Sequence, residues 1–252
     1  MSELVLENVT LRFGGLLALD NVSFSVAPGS LHALIGPNGA GKSSCFNVIS
    51  GLYRPTSGAV RLGDKNLLQL RPHQVARLGI GRAFQNTALS QHSTVLDNVL
   101  LGRHALTKGG FIACGLRLTR REEQRHATRA KEICDFLGIT AMVDQPLGAL
   151  PYGVAKRVDI ARALAVEPSL LLLDEPAAGM NTEETADLAG TIGQIRTDLG
   201  IAILLVEHDM DLVMGIADQV TVLDFGRVIA DGTPTEVQTN ADVIKAYLGV
   251  SA

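Results

Sequence analysis

The stretch Gly36-Pro37-Asn38-Gly39-Ala40-Gly41-Lys42-Ser43 fits the spacing G-x-x-x-x-G-K-[ST]. It follows the apolar run at 31–35 and precedes residues that suit a helix. That order matters, because a strand leading through glycines into a helix start builds an anion cradle. The glycines let backbone amides wrap around phosphate oxygens without a Cβ in the way. Lys42 would reach the β- and γ-phosphates, Ser43 would ligate Mg2+, and Ser44 joins the same nucleotide-binding set at the helix start. A chance glycine-rich turn is the competing reading, and the strand-loop-helix setting argues against it. By itself the motif indicates ATP or GTP phosphate chemistry.

Outward from this loop the chain reads as α/β. The runs at 170–173 and 201–206 are continuously apolar, which suits parallel strands covered by helices on both faces. Between them, residues 182–199 carry apolar side chains near helical spacing and stop at Gly200, a C-cap. Strand, helix, strand implies a right-handed crossover in a parallel sheet. The N-terminal residues alternate instead (Leu4, Leu6, Val9, then Val22, Phe24, Val26), which predicts half-buried strands. From about 87 to 165 the pattern is helical: Thr119-Arg120-Arg121-Glu122 forms a capping box, and Ala127, Ala130, Ile133, Cys134 and Leu137 make one apolar stripe closed by Gly138. A hairpin is expected around Asp224-Phe225-Gly226-Arg227, with a short helix from Thr235 or Ala241 onward.

The first acidic pair of interest ends the 170–173 run, in Leu173-Asp174-Glu175. Asp174 is suited to hold Mg2+ and Glu175 to polarise the attacking water. Strands often end in acidic turn residues, so the pair gains its weight from standing beside a phosphate loop. Composition narrows the rest. With 252 residues, 46% hydrophobic and 19% charged, the chain can build one large core with a subdomain. A net charge of -4 gives no basic field for nucleic acid. The start Met1-Ser2-Glu3-Leu4 lacks the pattern of a signal peptide, and the apolar runs are too short to cross a bilayer, so a membrane role must come through a partner. Cys45, Cys114 and Cys134 have no metal-ligand spacing and read as small packing residues. A basic stretch from Arg103 to Lys131 faces either anionic headgroups or plain solvent.

Together these motifs resemble the nucleotide-binding subunit of an ATP-binding cassette (ABC) transporter, over essentially the whole chain. The resemblance implies a P-loop NTPase (RecA-like) core at 1–86 and 166–252, with an N-terminal antiparallel β subdomain and a helical subdomain inserted at 87–165. The family's signature segment, typically Leu-Ser-Gly-Gly-Gln, corresponds to Leu150-Pro151-Tyr152-Gly153-Val154. There Gly153 would face the γ-phosphate of a nucleotide on the opposite subunit, although Pro151 removes the usual hydroxyl and Val154 the glutamine. The resemblance further makes Gln85 a metal- and water-sensing residue, His208 a switch histidine at the γ-phosphate, and Phe13 the ring stacked on adenine. Taken alone, these are a surface amide, a strand-end histidine and a core aromatic. The segment ending in Asn181 matches a loop that usually ends in aspartate.

Within the family, Leu11-Arg12-Phe13-Gly14-Gly15-Leu16, Tyr53-Arg54-Pro55-Thr56-Ser57-Gly58 and the ending Ala246-Tyr247-Leu248-Gly249 look like the larger ATPase subunit of branched-chain amino acid importers. That implies ATP and Mg2+ as cofactors. The implied partners are a paralogous ATPase subunit, membrane permease subunits and, indirectly, an extracytoplasmic solute-binding protein, with this chain peripheral on the cytoplasmic face. The ATPase of lipopolysaccharide export shares the Phe13-Gly14-Gly15 start and is the alternative. A P-loop small-molecule kinase and a nucleotide switch with weak hydrolysis are the other rivals.

Overall fold

The computed structural model describes residues 2–83, 89–106 and 120–248. The N-terminal alternation folds as expected. β1 (Leu4–Phe13) pairs antiparallel with β2 (Leu16–Val26), and its other edge takes β4 (Ser57–Leu62), then β5 (Lys65–Asn66), in the order β2-β1-β4-β5. Leu4, Leu6, Val9 and Leu11 point inward. The register of β1 shifts between Leu6 and Val9, where Asn8 takes a left-handed conformation. A bulge of this kind twists a strand while keeping its apolar face on the core.

The second sheet has the order β10-β9-β3-β8-β7-β6. Its members are β3 (Leu31–Ile35), β6 (Ile80–Ala83), β7 (Leu170–Asp174), β8 (Ala202–Val206), β9 (Gln219–Asp224) and β10 (Arg227–Gly232). β3 lies parallel to β8 and β9, and β7 parallel to β8 and β6. Every residue of β3, β7 and β8 is buried, which explains their unbroken apolar runs. β10 is an antiparallel edge strand, so the sheet is mixed rather than wholly parallel. It returns from β9 through Phe225 and Gly226, both at positive φ, the geometry of a tight two-residue hairpin.

Strand periodicity divides the core. Leu171, Leu173, Ile203 and Leu205 face one apolar cluster; Leu170, Leu172, Leu204 and Val206 face another. The second cluster is closed by α1 (Lys42–Ile49) and the inner face of the antiparallel sheet. The first is closed by α6 (Thr182–Leu199) and by α3 (Val95–Arg103), α4 (Arg120–Phe136) and α5 (Tyr152–Leu164). The helical stretch thus shares its core with the sheet. Ala33, Ile35, Val220 and Val222 pack with α7 (Met210–Ile216), α8 (Pro234–Gln238) and α9 (Ala241–Leu248). α2 (Pro72–Arg77) precedes β6.

On α4 the expected stripe is buried at Ala130, Ile133, Cys134 and Leu137, while Ala127 is only partly so. Thr119 of the expected capping box lies outside the described residues, as does Cys114. Burial pushes the Cys45 thiol up to about 12 and that of Cys134 up to about 11, so both are packing residues. Arg103 departs from both readings of the basic stretch. It is buried, donating to Ala165 O at 3.0 Å, Glu167 at 3.1 Å and His126 Nδ1 at 2.7 Å. Its guanidinium ties α3 to α4 and to the loop after α5. No helix among the described residues is long and apolar enough to cross a membrane.

Candidate nucleotide site

β3 feeds straight into the glycine loop, and the loop into α1. At Gly36 (φ 146°) an added Cβ would lie 2.1 Å from Leu223 O; at Gly41 (φ 107°) it would lie 2.7 Å from Ala18 O. Those two approaches, from β9 and from β2, are what make glycine obligatory. The hairpin braces the loop as well, with Gly226 N–H donating to Ala40 O at 3.0 Å. Tyr247 of α9 accepts from the Gly36 N–H, and burial pushes its phenol up despite that bond. Pro37 and Ser44 are partly covered, while Asn38, Gly39 and Ser43 are open to solvent. Lys42 is folded onto its own loop, donating to Gly36 O at 2.7 Å and Pro37 O at 3.0 Å. Burial holds its ammonium below the usual lysine range, and the charges of Glu175 and Asp174 oppose that shift.

β7 ends at Asp174, which is 5% exposed. Its Oδ2 accepts from Arg82 at 3.2 Å, whereas its Oδ1 is buried without a hydrogen-bond partner. Burial raises its pKa, and Arg82 opposes the rise. The guanidinium also donates to Asn47 Oδ1 at 2.8 Å and Ser50 Oγ at 3.1 Å, and lies 5.6 Å from the centre of the Phe46 ring. Arg82 escaped the sequence reading; a single charge in Ile80-Gly81-Arg82-Ala83 was its one signal.

Glu175 leaves the strand at φ 49°, a left-handed conformation rare outside glycine. Its N–H donates to Val206 O at 2.8 Å, and its carbonyl accepts from the buried Lys156 at 3.3 Å. Oε2 lies 3.3 Å from Nε2 of His208, in the loop after β8. Glu207, beside it, is 1% exposed; its carboxylate accepts from Ala177 N–H at 2.7 Å and His208 N–H at 3.1 Å. Neither Lys156 nor Glu207 carried a sequence signal.

The structure therefore gathers Lys42, Asp174, Glu175 and His208, four residues far apart in the chain. Gly153 belongs elsewhere. It sits in the first turn of α5, where an added Cβ would approach Glu184 of α6 at 3.6 Å. Pro151 is the N-cap of α5 and offers no side-chain bond; Pro151 and Tyr152 are exposed. Phe13, at the end of β1, is 44% exposed and meets Tyr53 edge-on at 5.1 Å. It is therefore not a core aromatic, whereas Phe24 is buried in the core. Gln85 lies outside the described residues. Asn181 caps α6, its side chain accepting from Glu184 N–H at 3.0 Å.

The chain matches the family described as "ABC transporter" over residues 19–178, and the description "Branched-chain amino acid ATP-binding cassette transporter" over residues 227–252. It is 42% identical to the high-affinity branched-chain amino acid transport ATP-binding protein BraF of Pseudomonas aeruginosa, covering 99% of each chain. Among solved structures it resembles the ADP conformation of MJ1267, an ATP-binding cassette of an ABC transporter, with a TM-score of 0.87, 32% identity and 99% coverage of both chains. The dimeric bacterial cassette MJ0796 matches with a TM-score of 0.78 and 25% identity, over 92% of this chain and 98% of that one.

Proposed function

This chain belongs to the ABC transporter ATP-binding proteins, and on that premise we propose that it hydrolyses ATP through Glu175 and His208 to energise uptake of branched-chain amino acids. The observation that carries the reading is the 3.3 Å pairing of Glu175 and His208 within the field that Lys42 shares with the acidic pair. The cargo rests on BraF and on the match at residues 227–252. That terminal match favours an importer over lipopolysaccharide export.

Each residue has a task that its surroundings support. Amides from Gly36 to Ser44 cradle the phosphates, and Lys42 exchanges its two carbonyl partners for phosphate oxygens. Phe13, with Tyr53 against its edge, offers a half-open ring to adenine. Glu175 accepts the proton of the water that attacks the γ-phosphorus, releasing ADP and phosphate. His208, its Nε2 3.3 Å from Glu175 Oε2, would reach the γ-phosphate as well. The unpartnered Oδ1 of Asp174 fits a cation's coordination shell. Asp174, Ser43 and Gln85 would hold Mg2+, which would neutralise charge on the β- and γ-phosphates.

The dimeric MJ0796 cassette supports a paired ATPase; in such a pair Gly153 and the exposed start of α5 would complete the site of a second, paralogous ATPase subunit. On this reading residues 87–165 form a helical unit inserted between the two parts of the nucleotide-binding core at 1–86 and 166–252. The pair of ATPase subunits would work peripherally on permease subunits at the cytoplasmic face, with the solute-binding protein acting from outside. Glu175→Gln keeps the shape and removes the base. It should lower ATP turnover by about 100-fold or more while ATP affinity stays within about threefold. Turnover close to that of the parent chain would remove Glu175 from the role of base.

A further inference from the structure

The loops carrying Glu175 and His208 come from different strands, and their mutual distance must be held by something. β8 ends at Val206, and the next residue is a carboxylate where the strand pattern calls for solvent or an apolar group. Glu207 is nevertheless 1% exposed. Burial pushes its pKa up, and the amides of Ala177, His208 and Asp209 pull it back. A carboxylate serving several backbone donors is a strong, charge-assisted acceptor in a low-dielectric setting.

The two oxygens divide their work. Oε1 takes the N–H of Ala177, two residues past Glu175, at 2.7 Å; Oε2 takes the N–H of His208 at 3.1 Å. On the near side, Glu175 N–H donates to Val206 O at 2.8 Å, which fixes the strained residue at φ 49° against β8. These contacts close a ring: Val206 to Glu175, Glu175 to Ala177 along the chain, Ala177 through the Glu207 carboxylate to His208, and His208 back to Glu175. We infer that Glu207 is a positioning residue for hydrolysis, its buried carboxylate clamping the loop of Glu175 to the loop of His208. It does not touch the phosphates. It acts by holding the base and the histidine at one distance, and a displacement of about 1 Å between reacting groups costs about 100-fold in rate.

The inference rests on Glu175 and His208 being the hydrolytic pair, so the test carries a control for that reading. Steady-state ATPase kinetics of the assembled transporter and thermal midpoints of the purified chain are compared for Glu207→Gln, Glu207→Asp and Glu175→Gln. Glutamine keeps the volume but turns an NH2 toward one of the amide donors. Glu207→Gln should lose kcat by about 10- to 100-fold with KM for ATP within about twofold. Glu207→Asp keeps the charge and should recover part of kcat, with a native thermal midpoint. Unchanged kcat in Glu207→Gln, or a defect confined to KM, overturns the inference. If Glu207→Gln does not fold, Glu207→Asp decides by the same kcat and KM readouts; if neither folds, the role is structural alone and the inference is equally overturned. An active Glu175→Gln sinks the hydrolytic-pair reading itself. An inactive Glu175→Gln beside a native Glu207→Gln sinks only the clamp.

Discussion

Some single residues carry information here only through partners far away in sequence. His32 shows this as the second residue of β3, the strand that feeds the functional loop. Its Nε2 lies 2.7 Å from Thr221 Oγ1, and the Thr221 proton goes to Asp231 at 3.1 Å, so Nε2 carries a proton and donates. Burial lowers its pKa from 6.5 to about 4. The unfolded chain therefore takes up this proton first as pH falls. The stabilisation is fully present above pH 6.5 and is lost as pH drops toward 4. Between pH 7 and pH 5 the loss from His32 alone should be about 2 kcal/mol. Urea unfolding at the two pH values checks this, and His32→Gln should flatten that part of the profile. A slope unchanged in the variant would assign the pH sensitivity to another group. Nothing in the run Leu31-His32-Ala33-Leu34-Ile35 names Thr221, because the parallel pairing of β3 with β9 is a tertiary fact. Arg82, Lys156 and Glu207 were hidden for the same reason: their partners at Asp174, Glu175 and Ala177 are brought close only by the sheet.

Elements were far easier to read, since their signals are local. The phosphate loop, the buried strands β7 and β8, and the hairpin at Phe225-Gly226 follow from periodicity and turn chemistry. So do the limits of α6, from Asn181 to the left-handed Gly200. β4 and β5 gave little pattern, because edge-proximal strands of six and two residues bury few side chains. The capping of α6 also explains the departure at Asn181. What the helix needs there is an oxygen accepting from Glu184 N–H, with Glu184 returning a bond to Asn181 N–H at 3.0 Å. Asparagine and aspartate cap about equally well. Asn181→Asp should therefore change stability by no more than about 0.5 kcal/mol, while Asn181→Ala should cost about 1 kcal/mol. Chemical denaturation of the two variants measures both. Equal stability of the alanine variant would mean that the cap is not what holds the start of α6.

For the whole molecule, the decisive point is which surfaces a single chain leaves uncommitted. Lys42, Asp174, Glu175 and His208 converge on one another, whereas Gly153 opens α5 beside α6, flanked by the exposed Pro151 and Tyr152. A helix start with free amides and no side-chain cap is an anion-binding surface. In a head-to-tail pair it would close over the ATP held by the other subunit. Gly153→Asp tests this directly. The backbone at Gly153 is not in the left-handed region, and the space near it is limited only by Glu184 at 3.6 Å, so the fold should survive the change. The new carboxylate would meet the γ-phosphate of the partner's nucleotide as a like charge in a partly desolvated site. ATP binding by the variant's own loop should stay within about twofold of the parent chain, because Gly36 to Ser44 are untouched. Turnover by the assembled transporter should fall by about 10-fold or more, with the ATP-dependent subunit association weakened. Fluorescent-nucleotide titration of the isolated chain separates the first effect, and ATPase assay with sedimentation of the assembled complex the second. A variant that loses its own ATP affinity would place Gly153 in the cis site, and one with native turnover would remove α5 from the nucleotide sites altogether.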